Sequence, residues 1–95
     1  MIARTIWEQM GGHKFAIMTG AKNFVDTGNG LAFRIGQNCK RINAVEITLN
    51  GLDLYDLKFS RVRKNVGAVI AKYTNIYAED LQNLFTLETG MATRL

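Results

Sequence analysis

Hydrophobic positions at spacings of three and four predict two helices in this chain of 95 residues. The first helix covers Ile2–Met10 and ends at Gly11 and Gly12, where glycine tolerates a change of chain direction. The second covers Ala78–Glu88 and ends before Gly90, a plausible helix stop. The residues that share one face are Ala3, Ile6, Trp7 and Met10 in the first helix, and Leu81, Leu84 and Phe85 in the second. We interpret Trp7 as part of the core.

Between the helices, apolar and polar residues alternate with a period of two, which is typical of strands with one buried side. We predict a short strand through Phe15 and Ile17 up to Thr19-Gly20, and a loop over Ala21–Gly30. Four further strands follow, with inward residues Leu31, Phe33 and Ile35; Val45, Ile47 and Leu49; Tyr55, Leu57 and Phe59; and Val69, Ala71 and Tyr73. Asn50-Gly51 predicts a turn.

These elements predict one α+β domain spanning residues 1–95, because a chain of this length is too short for two independent cores. The predicted order is an N-terminal helix, an antiparallel sheet of about five strands in a meander, and a C-terminal helix. Both helices would lie on one face of the sheet. The composition, 47% hydrophobic and 21% charged, is that of an ordered globular domain.

Cysteine use and the N-terminal residues favour a cytoplasmic protein without membrane contact. Cys39 is the single cysteine, so an intrachain disulfide is excluded and a reducing compartment is indicated. Arg4 and Glu8 interrupt the apolar positions near the N-terminus, where a secretion signal or membrane span would need an unbroken apolar stretch.

Candidate catalytic and metal-binding residues are few. His13 and Cys39 are single residues, which disfavours zinc sites and histidine-dependent triads. Asp53 and Asp56 have an odd spacing that sends them to opposite faces of a regular strand, and we interpret them as a turn cap and a solvated side chain. Glu79-Asp80 is typical of a helix start. We therefore predict no enzyme activity, no metal and no cofactor.

The segment Thr19–Phe24 has some features of a phosphate-binding loop, because a glycine precedes Lys22 in a predicted turn after a strand. It lacks the first glycine and the hydroxyl residue that a Walker motif needs. Lys22, Asn23 and Phe24 still offer a charge, an amide and an aromatic ring, which can hold a phosphate or stack a base. The alternative is a surface loop with a tucked Phe24.

Basic residues are the larger signal, since the formal net charge is +4. Arg34, Lys58 and Lys72 occupy outward positions on different predicted strands. Five others fall in connections between strands: Lys40, Arg41, Arg61, Arg63 and Lys64. Together they would form a basic band suited to phosphates. The alternative is that they keep the sheet soluble and protect its edges, which Glu46 and Asp56 on the same face support.

The run Gly11–Phe24, the Ile47-Thr48-Leu49 segment, the Leu54-Tyr55 strand start and the closing run Leu81–Gly90 resemble a group of small bacteriophage and mobile-element proteins. The segment Met-Thr-Gly-Ala-Lys-Asn-Phe is the most specific part of this resemblance. It implies a phage context, in which short proteins commonly bind nucleic acid or block host defence enzymes, and it implies no particular functional residue.

Two hypotheses follow. The first is a non-enzymatic accessory protein that binds nucleic-acid backbone, with candidate residues Lys22, Arg34, Lys58, Arg61, Arg63, Lys64 and Lys72. Tyr73, Tyr77 and Phe24 are the candidates for base stacking. The second is a protein-binding module, such as a phage-encoded inhibitor of a host defence complex or a self-associating homodimer, that docks through a sheet face or edge.

Overall fold

The protein is described from a computed structural model, in which residues 2–36, 41–64 and 66–91 are described. The described residues form three α-helices, a 3-10 turn and five strands. The elements in chain order are α1 (Ile2–Met10), α2 (Gly12–Thr19), β1 (Lys22–Asp26), β2 (Gly30–Arg34), β3 (Ala44–Leu49), β4 (Tyr55–Arg63), β5 (Val66–Ile76), the 3-10 turn (Ala78–Asp80) and α3 (Leu81–Thr89). The predicted α+β class is confirmed.

The strands form a single antiparallel sheet in the order β1-β2-β3-β4-β5. This is the predicted meander, in which each strand pairs with its neighbours in sequence. The central register places Phe33 opposite Val45 and Val45 opposite Phe59. Because directly opposed residues point to the same side of a sheet, these three side chains share one face.

That face, which we call the inner face, carries the core. The alternating residues that the sequence predicts to be inward are buried there on the central strands, with Ile47, Leu57 and Phe59 fully buried. The helices supply the opposite half: Ile6 and Met10 come from α1, and Leu81 and Phe85 from α3. Phe15 of α2 packs its ring edge-on against Phe33 at 5.4 Å and against Phe85 at 5.2 Å between ring centroids.

The predicted first strand is wrong, since residues 12–19 form the second helix, α2. Gly11, with φ 115°, turns the chain between the two helices in a conformation that suits glycine. Phe15 and Thr19, four residues apart, are buried, and the Thr19 hydroxyl donates to the Phe15 carbonyl at 2.7 Å. Ile17, which strand alternation would have buried with Phe15, is 82% exposed.

The predicted loop over residues 21–30 contains β1, the first edge strand of the sheet. All five β1 residues are exposed, so no alternation marks the strand in the sequence. The pairing with β2 shifts between Lys22 and Val25, where Asn23 has φ 58°. An exposed, irregular edge strand leaves little periodic signal, which explains why the strand was missed.

β4 and β5 are longer than predicted. The basic stretch predicted as a turn contributes Arg61 and Arg63 to β4, and among the described residues the turn between these strands is represented by Lys64 alone. Val69 lies opposite Ser60, on the outward side, so the prediction that it points inward is wrong. The register shifts between the Ser60–Val69 and Phe59–Ala71 pairs, and the extra residue, Ile70, reverses the alternation. Ala71 and Tyr73 point inward as predicted.

The predicted turn after β3 and the predicted end of the second helix are confirmed, whereas that helix begins at Leu81 because Ala78–Asp80 form the 3-10 turn. Asn50–Leu54 form the turn between β3 and β4, closed by the Asn50 N–H donating to the Leu54 carbonyl at 2.8 Å. The left-handed residue there is Asp53, with φ 59°. α3 ends at Gly90, which has φ 75° and donates its N–H to the Thr86 carbonyl. Cys39 and Lys40 lie outside the described residues.

Candidate nucleic-acid interface

The face of the sheet opposite the helices, which we call the outer face, carries the polar half of each alternating strand. Its central residues are Ala32 and Arg34 on β2, Ala44, Glu46 and Thr48 on β3, and Asp56, Lys58 and Ser60 on β4. Most of these side chains are half-buried by their neighbours, and Arg34 is exposed. Among the described elements, all three helices pack on the inner face, so the outer face is open.

A groove of about 570 Å³ runs across this face and is lined by residues of all five strands. Its floor is made by small residues at the outward positions: Ala32, Ala44, Ser60 and Gly67. Val25 and Val69 lie at its two sides, on the edge strands. A recess of this kind requires small side chains in the middle and larger ones around them. Each of the strands β2, β3, β4 and β5 contributes one of the small residues.

Four of the predicted basic residues share the outer face, in two pairs. Lys22 lies directly opposite Arg34 on β1 and β2, and Lys58 lies directly opposite Lys72 on β4 and β5. Opposed residues in an antiparallel sheet have Cα atoms about 4.5–5.5 Å apart, so the Lys22–Arg34 pair concentrates positive charge, whereas in the second pair Glu46 offsets the charge of Lys58. β3 separates the two pairs, which puts β2 and β4 roughly 10 Å apart at the usual strand spacing.

The acidic residues of this face are both engaged. Glu46 pairs with Lys58, with 3.1 Å between the carboxylate Oε1 and Lys58 Nζ. Asp56 Oδ1 accepts hydrogen bonds from the Asn50 side-chain amide at 3.0 Å and from the Asn75 backbone N–H at 3.1 Å. Within the described ranges no carboxylate pairs with Lys22, Arg34 or Lys72. These three cations are therefore available to an anion.

The remaining predicted residues lie elsewhere. Arg61 and Arg63 continue the inner-face alternation of Phe59, opposite Ala68 and Val66, so they point away from the groove. Arg61 Nε contacts the backbone carbonyl of Arg41 at 3.4 Å. Lys64 lies in the turn with φ 50°. The seven predicted residues thus divide into four on the outer face and three at the β4–β5 end.

The segment Thr19–Phe24 does not form one phosphate site. The Thr19 hydroxyl is buried and bonded to a helix carbonyl, while Lys22 points to the outer face. Phe24 packs on Phe33, with 5.4 Å between ring centroids, yet it lies on strand β1 and stays 37% exposed, so the alternative of a loop with a tucked ring is not confirmed. Tyr73 also points inward, and its hydroxyl donates to Glu88 Oε2 at 2.7 Å. Of the predicted stacking residues, Tyr77 is the most exposed, at 58%, and it lies beyond the end of β5.

His13 lies in the first turn of α2 and packs its ring edge-on against Trp7, with 4.9 Å between ring centroids. Trp7 itself is half-buried against the core rather than enclosed by it. Both residues line an open pocket between α1 and β1. In the part of the chain that the structure describes, no group of three histidine, cysteine or carboxylate residues is placed to hold a metal ion.

The groove floor is the feature that sequence reasoning missed. Its signal was present, because small residues recur at outward positions where solvated strands usually carry larger polar side chains. Asn43 was also missed: its side-chain oxygen accepts from Val62 N–H at 2.8 Å and its amide donates to the Val62 carbonyl at 2.9 Å. These bonds fix the end of β4, and with it Val62, at one end of the groove.

Comparisons of the chain with models of protein families, with curated proteins and with solved structures find no match. Of the helices in the described ranges, none combines the length and the apolar character needed to cross a membrane.

Proposed function

We propose that this protein is a non-enzymatic accessory protein that binds the sugar–phosphate backbone of nucleic acid along its outer face. The observation that carries the proposal is that Arg34 lines the outer groove and that Lys22 and Lys72 lie on the same face of the sheet, all three without a carboxylate partner in the described chain. Lysine and arginine side chains supply most phosphate contacts, and their binding releases counterions from the nucleic acid.

The groove favours a single strand. A recess of about 570 Å³ has room for a strand of backbone, whereas a duplex is too wide to enter it. Phe24 and Tyr73 face the core side, and among the described residues the groove is lined by aliphatic, small and polar side chains with Phe33 below them. Binding should therefore depend on phosphate spacing more than on base identity.

A pair of single charge reversals tests the proposal. Arg34→Glu places a negative charge in the outer groove, whereas Lys14→Glu makes the same change in net charge on the exposed surface of α2. With a labelled oligothymidylate in fluorescence anisotropy, we expect Arg34→Glu to weaken binding about tenfold and to lower the salt slope by about one. Lys14→Glu should change affinity by less than about twofold, since its effect acts through screened long-range charge.

The proposal fails if the wild-type protein shows no binding to single- or double-stranded oligonucleotides at micromolar concentration in low salt. Equal losses for Arg34→Glu and Lys14→Glu would also contradict it, because they would indicate attraction by net charge without a defined face. A cytoplasmic, phage-type context is part of the same proposal and rests on the sequence arguments alone.

A second candidate function is protein binding, for example inhibition of a host defence complex. It is favoured by apolar side chains exposed on an edge strand, with Val66 at 71% and Val69 at 58%. Copurification from host extract after nuclease treatment distinguishes the two functions. A host protein retained in stoichiometric amount would support this candidate, and recovery of nucleic acid alone would count against it.

A further inference from the structure

The open pocket between α1 and β1 lies on the inner side of the sheet, where the edge strand extends beyond the core. Its volume is about 490 Å³. Two buried residues, Ala3 and Leu31, line it together with the rings of Trp7 and Phe24. Its polar lining residues are Arg4, His13 and Asp26. Sites for small organic groups have this composition, with mostly apolar and aromatic walls and a few polar side chains that fix orientation.

Phe24 reaches the pocket because the edge strand is irregular. Lys22 points to the outer face, and regular alternation would send Phe24, two residues later, to that same face. The register shift between Lys22 and Val25 adds one residue and turns the Phe24 ring to the inner side. There the ring packs on Phe33 and stays 37% exposed. Bulges often re-aim a side chain at a functional site, and this one places a cation and an aromatic ring on opposite sides of one short segment.

The Trp7 ring is held in place by the start of α2. His13 packs edge-on against it, with 4.9 Å between ring centroids. Gly12, with φ 62°, also lies against the ring, and a Cβ atom at this position would stand 3.5 Å from two of the ring carbons. The side chain is half-buried, so part of the ring remains open to the pocket. A ring that is already ordered binds a flat partner at a low entropic cost, and every nucleobase has a face that stacks on such rings.

Asp26 supplies the negative charge of the pocket. It lies opposite Leu31, and its Oδ1 accepts the Gly28 backbone N–H at 2.8 Å, which orients the carboxylate. Within the described ranges Asp26 has no ion-pair partner. A carboxylate only accepts hydrogen bonds, so it repels phosphates and attracts the N–H groups of a base. Guanine presents two such donors side by side, N1–H and N2–H, whereas thymine has a single donor between two carbonyl oxygens.

The pocket and the outer face meet at the free edge of β1. Lys22 and Arg34 lie opposite each other on the outer face, and in the described chain no strand pairs with the second edge of β1. Phe24 is two residues from Lys22, which is about 7 Å along a strand. This distance is comparable with the spacing of successive nucleotides in an extended single strand. A strand with a phosphate at Lys22 can therefore pass the edge and place its next base in the pocket.

We propose that this pocket binds one unpaired base of the strand held on the outer face, with guanine preferred. The base stacks on the rings of Trp7 and Phe24, and its donor edge meets Asp26. The inference rests on the proposed function, because the outer-face cations bring the strand to the edge of β1. It adds one base contact to binding that otherwise depends on phosphates.

Tryptophan fluorescence provides the first test, since Trp7 is the single tryptophan of the chain. The probes are three strands of equal length: oligothymidylate, the same strand with one central guanine, and a strand whose sugars all lack bases. Fluorescence anisotropy of labelled strands measures affinity, and unlabelled strands are used to follow Trp7. We expect the abasic strand to bind without quenching Trp7, because it carries phosphates alone.

The three affinities should form a series. Oligothymidylate should bind about fivefold more tightly than the abasic strand, the low end of what stacking of one base contributes. The strand with guanine should bind about fivefold more tightly again, the low end for a contact with two hydrogen bonds. Quenching of Trp7 should follow the same order.

Matched variants at Phe24 separate stacking from folding. Phe24→Leu keeps apolar packing on Phe33 and removes the ring, whereas Phe24→Tyr keeps a ring. We expect Phe24→Leu to weaken binding of the guanine strand about fivefold and to change binding of the abasic strand by less than about twofold. Phe24→Tyr should resemble the wild type with both strands.

Asp26→Asn tests the preference for guanine. The asparagine oxygen can still accept the Gly28 N–H, but the negative charge is lost. The advantage of the guanine strand over oligothymidylate should disappear, while the abasic strand should bind somewhat more tightly because a charge that repels phosphates is gone.

The outcomes distinguish this inference from the proposed function. Absence of binding by all three strands would overturn both. Binding that leaves Trp7 fluorescence unchanged, or that quenches it equally with the guanine and abasic strands, would overturn the base pocket alone. The same conclusion would follow if Phe24→Leu weakened binding of the abasic and guanine strands equally, or if Asp26→Asn retained the full preference for guanine.

Discussion

The inner and outer faces of the sheet are built by the same strands, yet they differ in almost every property of their side chains. Phe59 is fully buried between Tyr73 and Phe85, whereas Lys58, one residue earlier, remains partly exposed in an ion pair with Glu46. The inner face is under a packing constraint, since a change of even one methylene group is felt in a close-packed core. The outer face is free of that constraint, so its cations and small residues can serve binding.

Replacing one side chain on each face should give the largest difference in the free energy of unfolding. Phe59→Ala removes a ring from the centre of the core and should lower the free energy of unfolding by about 3–5 kcal/mol. Its neighbour Ser60 lies on the groove floor, and Ser60→Ala should change stability by no more than about 0.5 kcal/mol. Urea denaturation followed by circular dichroism measures both values.

Natural domains are stable by only about 5–15 kcal/mol, so Phe59→Ala can unfold this one entirely. Phe59→Leu, with an expected loss smaller than that of the alanine variant, keeps the comparison measurable. Similar losses for Phe59→Leu and Ser60→Ala would show that the two faces contribute equally to stability and would contradict the division.

Gly30 lies on the outer face, but we expect a substitution there to destabilise the fold. It lies at the start of β2, opposite Thr48, and a Cβ atom there would fall far inside van der Waals contact with the Ile47 carbonyl oxygen. We expect Gly30→Ala to cost about 1–3 kcal/mol because the two strands must separate. Gly51, whose Cβ would meet nothing within 4 Å, is the matched control.

Thermal unfolding of Gly30→Ala and Gly51→Ala compares the stabilities of the two variants. A lower melting temperature for Gly30→Ala with an unchanged value for Gly51→Ala is expected. If both variants melt like the wild type, the close approach of β2 and β3 at Gly30 is not a constraint on the fold.

Asn50 connects the outer face to the β3–β4 turn. Its side-chain oxygen accepts from the backbone N–H of Leu52 at 2.8 Å and of Leu54 at 3.2 Å, and its amide reaches Asp56 and Asn75. Asn50→Ala should cost about 1–2 kcal/mol, since partly buried groups lose their partners. The exposed Asn83 on α3 serves as control in the same urea experiment, with a change below about 0.5 kcal/mol expected. Equal effects would show that the turn does not depend on this network.

The sequence was sufficient to predict the secondary structure and the core residues where apolar and polar residues alternate regularly. β2, β3 and β4 show a strict period of two, so their core residues and the meander were predictable, as was α1 from its spacing of three and four. Residues 14–19 fit both periods, and only the packing of Phe15 and Thr19 against other elements decides for a helix. β1 has no buried side, so no pattern could reveal it.

The candidate site was predictable in part. Lys58 and Lys72 follow from alternation alone, and they lie opposite each other as outward residues. Extending the alternation of β4 beyond Ser60 would also have placed Arg61 and Arg63 on the Phe59 side. The bulge at Ile70 could not be predicted, because an extra residue in one strand depends on its pairing with the next. That bulge moves Val69 to the outer face, where it lines the groove.

The smallest expected effect concerns a polar contact on the inner face and appears only at high pH. The hydrogen bond to Glu88, followed by desolvation and the negative charge of that carboxylate, raises the pKa of Tyr73 in the folded protein. The unfolded chain therefore loses this proton first, near the ordinary tyrosine value of about 10. The stabilisation is fully present below that pH and is lost as the pH rises through the folded pKa.

Tyr73→Phe removes this contribution, so the wild type should melt at a higher temperature than the variant at pH 7, and the difference should shrink above about pH 10. Tyr77→Phe is the control for general effects of alkaline solution, because Tyr77 is 58% exposed. A difference between wild type and Tyr73→Phe that stays constant from neutral to alkaline pH would show that the Tyr73–Glu88 hydrogen bond does not stabilise the inner face. A difference that shrinks would show that the Tyr73–Glu88 hydrogen bond stabilises the inner face, where the other contacts are mainly apolar.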